Sequence, residues 1–164
     1  MTVTQTSKKH SLSLYERDYY LWLKATVQQL KARRFSELDI PKLIEEVEDM
    51  GRSEKRAIES NWVVILMHLL KYKYQPDQRS NRWLANLFEH RRRFNRAFKD
   101  SPSLRPYFTE VFGECYQDAR KEAALETGLS LATFPIDSPF MPEESLDSDF
   151  LPVEQSDFES SDLT

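Results

Sequence analysis

Two histidines set in apolar helical stretches are the first residues to test for chemistry. His68 lies inside the run WVVILMHLL, residues 62–70, and His90 lies between Leu87 and Phe94. Imidazoles on facing helices, with carboxylates beside them, can bind a metal ion or move a proton. Glu45 and Asp49, one helical turn apart, are the nearest carboxylates in pattern, and Arg52 and Arg56 continue the same charged collar. Helical metal sites use denser strings, Glu-x-x-His twice or His-Glu-x-x-His. Neither string occurs here. His10, in the N-terminal arm, is badly placed as a third ligand. A core histidine satisfied by hydrogen bonds is the plainer reading, so no metal and no cofactor are expected.

Other catalytic patterns are weaker still. Arg82 and His90 match in type the Arg and His paired on one helix in a superfamily of bundle ribonucleases. Their eight-residue step is longer than that motif, and two helical turns rise about 11 Å, too far for one scissile phosphate. Cys115, the only cysteine, falls on an apolar stripe and reads as an inert buried thiol. Three widely spaced glycines build neither a nucleophile elbow nor a phosphate loop.

The basic segment is a better handle. Residues 71–105 carry ten Lys or Arg against three acids, with Tyr72, Tyr74 and Trp83 among them. Guanidiniums near aromatic rings suit phosphate contact and base stacking. Arg79, Arg82, Arg91, Arg92, Arg93 and Arg96 are the candidate surface. Against this, bundle helices commonly wear solvated charged faces, and Arg91, Arg92 and Arg93 are spread around the helix rather than gathered in one patch.

The elements that must position these residues are helical. The chain has 164 residues, 40% of them apolar, and scarce glycine favours helices over sheet. Leu14, Tyr19, Trp22, Leu23, Val27 and Leu30 trace a first helix ending near Arg33. Asp39 and Pro41 open a second, with Leu43, Ile44, Val47 and Met50 expected inward. The pairs Glu48–Arg52 and Lys55–Glu59 argue that this helix continues through Gly51. Its run 62–70, apolar all round, should be buried all round, and Pro76 closes it. A third helix extends to about Lys99 with Trp83, Leu84, Leu87, Phe88, Phe94, Ala97 and Phe98 on its apolar face. A fourth covers about 104–126, with Gly128 as its C-cap.

After Leu131 the texture changes. Residues 134–152 hold four prolines and scattered Phe, Ile, Met and Leu, which predicts an extended strap docked through Phe134, Phe140, Leu146 and Phe150. Residues 133–164 carry nine acids and no Lys or Arg, leaving 18 acids against 23 bases before them. An acidic tail of opposite sign to its domain can keep the protein soluble or mask a basic surface. The expected organisation is a flexible arm 1–13, a helical domain 14–132, the strap 133–152 and a disordered acidic tail 153–164. One cysteine, no signal-peptide core and no apolar run of bilayer length point to the cytoplasm and away from a membrane.

Several strings are more specific than any single residue. LIEEVEDMGRSEKR, VVILMHLLKYKYQP, DSPSLRPY, ARKEAALETGL and the closing FP…DSDFLP together resemble the DUF29 family. The resemblance spans Tyr15 to Pro152. It implies an almost wholly helical fold of largely cyanobacterial distribution, and it supplies no catalytic residues. Relatives often show Cys-Pro-Trp where this chain has Ser138-Pro139-Phe140, which removes a second thiol.

The sequence therefore reads as an all-α bundle of about four main helices with a Pro-rich strap. Its leading function class is a non-enzymatic protein-interaction or regulatory module, binding an unidentified protein or a copy of itself. Nucleic-acid binding through the Arg-rich third helix is the alternative. A metal-dependent hydrolase or nuclease comes third.

Overall fold

The computed structural model describes residues 12–152. Most of the N-terminal arm, with His10, and the acidic tail 153–164 lie outside the described residues. The fold is all-α: among the described residues there are helices and turns and no strand. In order they are α1 (Leu14–Arg17), α2 (Tyr19–Lys31), α3 (Ile40–Tyr74), α4 (Asn81–Asp100), α5 (Arg105–Glu110), α6 (Phe112–Thr127) and α7 (Pro142–Leu146). The chain divides into two compact units, Met1–Met50 and Gly51–Thr164.

The first unit is a helical hairpin made by α1, α2 and the opening turns of α3. The single first helix expected from the apolar spacing is in fact two. Asp18 interrupts it, its carboxylate accepting the Leu21 N–H at 2.9 Å as an N-cap for α2. Ser13 and Glu16 cap α1 reciprocally. At the far end Arg33 takes a left-handed conformation, φ 56°, where glycine is the usual residue. Asp39 accepts the Lys42 N–H at the start of α3.

The hairpin buries little. Trp22 is the only buried hydrophobic residue among residues 12–50, with Thr26 beside it. Tyr15 and Tyr19 donate their hydroxyls to Glu46 at 2.6 and 2.5 Å, which ties α1 and the start of α2 to the second turn of α3. Those two bonds hold Glu46 below the usual carboxylate range and push Tyr15 up to about 12. Ile44, Val47 and Met50, expected inward, stand 54%, 59% and 69% exposed.

The second unit is the bundle proper. Helix α3 runs unbroken through Gly51, as the flanking charge pairs suggested, and a Cβ there would meet nothing within 4 Å. Trp62 and every residue from Ile65 to Lys71 are buried, whereas Val63 and Val64 are half-buried, so the run expected to be buried all round keeps one partly open face. Trp62, fully buried, stacks on Phe108 at 4.6 Å and touches Phe94 and Phe112 at 5.1 Å. Its indole N–H donates to the Phe108 carbonyl at 3.1 Å. The expected fourth helix is broken at Val111, so α5 and α6 bring Phe108 and Phe112 to the same indole from different directions. Gly128, φ 71°, ends α6 as a left-handed cap. On α4 the stripe Leu87, Phe94, Phe98 is buried, whereas Leu84 and Phe88 face outward. Phe134 and Phe140 of the strap are buried, and Leu146 and Phe150 pack against the same core.

Candidate functional site

The polar groups of the bundle gather along the line where α3 meets α4, and histidine–asparagine pairs build that line. The His68 Nδ1 lies 2.9 Å from the Val64 carbonyl, which can only accept, so Nδ1 carries the proton. Its Nε2 is then an acceptor, and the Asn86 amide donates to it at 2.9 Å. The second pair reverses the roles. His90 on α4 donates from Nδ1 to the Asn61 Oδ1 on α3 at 2.7 Å, and Asn61 donates in turn to the Ala57 carbonyl at 2.7 Å. Burial holds both imidazoles below their ordinary value of 6.5, so both are neutral near pH 7. His68 has no nitrogen left for a metal or a proton transfer.

Beside His68 lies a pocket of about 290 Å³ lined by His68, Lys71, Arg82, Trp83, Asn86 and Glu126. Lys71 is buried where the apolar run of α3 ends. Its ammonium donates to Glu126 at 2.5 Å and sits 4.7 Å from the Trp83 ring centre. Two cations against one carboxylate leave the lining with one net positive charge. The chemistry on offer is contact with a small anion rather than acid–base work. Among the described residues no group of three or more His, Cys, Asp or Glu could hold a metal ion.

The collar residues remain a row of exposed charges. Glu45 pairs with Lys42 at 2.7 Å, and Asp49, Arg52 and Arg56 are exposed on α3. None of the four lines the histidine pocket.

The basic helix is divided among separate tasks. Arg92 and Arg93 both reach Glu89, at 2.8 and 3.0 Å. Arg96 approaches Asp100 at 3.8 Å. Arg79 donates to the Tyr72 carbonyl at 2.9 Å and stacks on the Tyr72 ring. Arg82 lines the pocket mouth. Arg91 is not a surface residue at all: it is 4% exposed. It donates to three strap carbonyls, Ser145 and Phe150 at 2.9 Å and Ser148 at 3.3 Å. Its pKa is lowered by burial and supported by Asp147 and Asp149.

Arg120, which the sequence reading passed over, does the same for the other end of the strap. Its guanidinium meets the Phe134 carbonyl at 2.9 Å and the Leu131 carbonyl at 3.4 Å. Tyr116 and Gln117 add bonds to the Pro135 and Ile136 carbonyls, each at 2.7 Å. A signal for both arginines exists in the sequence. Arg91 falls in step with Leu87, Phe94 and Phe98, and Arg120 with Tyr116 and Ala123, so each interrupts an apolar stripe. Lys71, Asn61, Asn86 and Glu126 carry no such mark.

The hairpin supplies a different kind of surface. Eleven large apolar side chains stand exposed in residues 12–50. Tyr20, Leu23 and Val27 share one face of α2 and line a shallow apolar depression of about 280 Å³. Ile40, Ile44 and Val47 share one face of α3.

No curated protein and no solved structure matches this chain. The domain of unknown function DUF29 matches it over residues 14–151, nearly all of its described length, and the chain belongs to that family.

Proposed function

We propose that this protein is a non-enzymatic interaction module of the cytoplasm, and that its contact element is the hairpin of α2 and the first turns of α3. The observation that carries this reading is the hairpin's burial: one buried hydrophobic residue against eleven large apolar side chains left exposed. A unit so poor in core cannot be held by its own packing, and apolar faces of this extent mark contact sites. The polar groups of the bundle support the same reading from the other side, because His68, His90, Arg91 and Arg120 are engaged in holding helices and strap together. Among the described residues no helix is long and apolar enough to cross a membrane. Nucleic-acid binding through α4 is less well supported, since Arg91 is buried and Arg92 and Arg93 share one glutamate.

Photo-crosslinking in the native cell tests the reading. A crosslinking residue placed at Val47 should give a discrete adduct that Tyr20→Glu abolishes. One placed at Leu125, exposed on the bundle, should not. No adduct from Val47, or equal adducts from both positions, overturns it.

A further inference from the structure

We infer that the pocket beside His68 binds the phosphate group of a small phosphate monoester, and that Glu126 holds the place of that group until one enters. The inference goes beyond the interaction reading and does not rest on it, since no hairpin residue lines this pocket.

Three helices meet at the site. Helix α3 supplies His68 and Lys71, one turn apart. Helix α4 supplies Arg82, Trp83 and Asn86, which share one face, and α6 supplies Glu126. Lys71 is buried, and burying an ammonium costs free energy unless it is paired. The partner it has is loosely held. The Glu126 side chain is 51% exposed, against 9% for Lys71. Lys71 is the one hydrogen-bond partner Glu126 has among the described residues. Glu126 also stands in the last turn of α6, at the negative end of the helix dipole, with no base in that turn. Nothing in α6 itself holds the carboxylate there, and rotation about its own side-chain bonds takes it into water.

The donors left in the lining identify what replaces it. Arg82 makes no hydrogen bond or ion pair among the described residues, so its whole fork is available. Asn86 gives one amide N–H to His68, whose proton on Nδ1 fixes that direction, and keeps the second. Lys71 keeps N–H groups beyond the one given to Glu126. With Glu126 swung out, the lining presents two positive charges and donors on three side chains. A phosphate monoester brings about −1.5 to −2 charge and three acceptor oxygens, and arginine binds phosphate through two parallel N–H groups. A carboxylate brings one charge and two oxygens, a poorer match. Size and wall narrow the rest of the molecule. The volume, about 290 Å³, falls at the small end of ligand pockets, roughly 300–1,000 Å³. Trp83 is the only apolar side chain in the lining, which suits the face of a sugar better than a lipid tail. The fitting ligand is thus of the size and polarity of a phosphorylated sugar.

The test follows the indole N–H resonances of the full-length protein by proton–nitrogen NMR. The chain has three tryptophans, and Trp83→Phe identifies the signal that reports on the pocket. Inorganic phosphate and glucose phosphate should each shift the Trp83 signal saturably and leave those of Trp22 and Trp62 in place. Glucose and glucuronate at the same concentrations should not. Arg82→Gln, at an exposed position, should weaken glucose phosphate by about tenfold, the loss of one charge-assisted contact. Glu126→Gln should tighten it by about tenfold, because it removes the competitor for Lys71. An ion pair that served only to tie α6 to α3 would leave that affinity unchanged. A Trp83 signal that moves with neither phosphate overturns the inference. So does glucuronate binding as tightly as glucose phosphate, an Arg82→Gln variant that binds as well as the wild type, or a Glu126→Gln variant that binds no tighter. A short oligonucleotide without a terminal phosphate that shifts the signal at lower concentration than glucose phosphate overturns it in favour of nucleic acid.

Discussion

The Nη2 of Arg91 lies 2.9 Å from the carbonyl oxygen of Phe150, 59 residues later in the chain. The strap has no ladder of its own, and this guanidinium does for three of its carbonyls what a neighbouring strand would do. Arg91→Ala would leave the buried Ser145 carbonyl and the partly buried Phe150 and Ser148 carbonyls without this donor, at a cost of about 3 kcal/mol. Arg91→Lys keeps the charge but not the fork, and should lose an intermediate amount. Urea midpoints give the ranking. Limited proteolysis should show first cleavage moving into residues 141–152 in both variants; an unchanged cleavage site would contradict the role given to Arg91.

The histidine pairs make stability depend on pH. Both imidazoles have depressed values in the folded chain because burial disfavours their charged form. The unfolded chain therefore binds more protons than the folded one just below the ordinary value of 6.5. Their contribution is complete above that pH and declines as the pH falls below it. Urea midpoints measured from pH 7.5 down to 5 should fall, and the double variant H68Q/H90Q should show a shallower slope.

The Asn61–His90 pair can be isolated by a double-mutant cycle. The two side chains meet at 2.7 Å, part-buried, across α3 and α4. Asn61→Ala and His90→Ala should couple by about 1 kcal/mol, the size of one net hydrogen bond. Additive effects would mean that the contact contributes nothing beyond packing.

Cys115 offers a probe of the core. Burial pushes its thiol up to about 12, so almost no thiolate exists at neutral pH. An aromatic disulfide reagent at pH 7.5 should label the folded protein at the rate of core opening, orders of magnitude slower than the same chain in denaturant. Rapid labelling without denaturant would show that α6 does not seal the thiol.

Gly51 is in helical conformation with open space where a Cβ would be. Gly51→Ala should raise helix stability by about 1 kcal/mol. The check is a higher urea midpoint followed by far-ultraviolet dichroism.

Much of this architecture was legible in the residues. Pro41 and Pro76 bracket α3, Gly128 ends α6, and most of the apolar run 62–70 is interior, because each follows from backbone or solvent chemistry acting locally. Asp18 escaped notice because a cap in the middle of an apolar spacing looks like one more outward polar residue. Ile44, Val47 and Met50 show a deeper limit. Periodicity tells which residues share a face, but not whether the chain has anything to lay over it. The arginines show the same limit in reverse: Arg91 and Arg92 are neighbours of one type, and only the path of the strap makes one interior and the other a surface charge. The histidine pairs needed the register of α3 against α4, which no local signal carries.

The late position of the strap has a consequence for how the protein is made. Until residues 145–150 have been synthesised, Arg91 lacks the carbonyls that receive it, and its guanidinium must stay hydrated beside Leu87 and Phe94. A chain released short of that point carries a charge on the apolar face of α4 and cannot dry it. The strap thus decides whether the contacts around Arg91 persist, and a chain lacking it keeps apolar core surface open to misassembly.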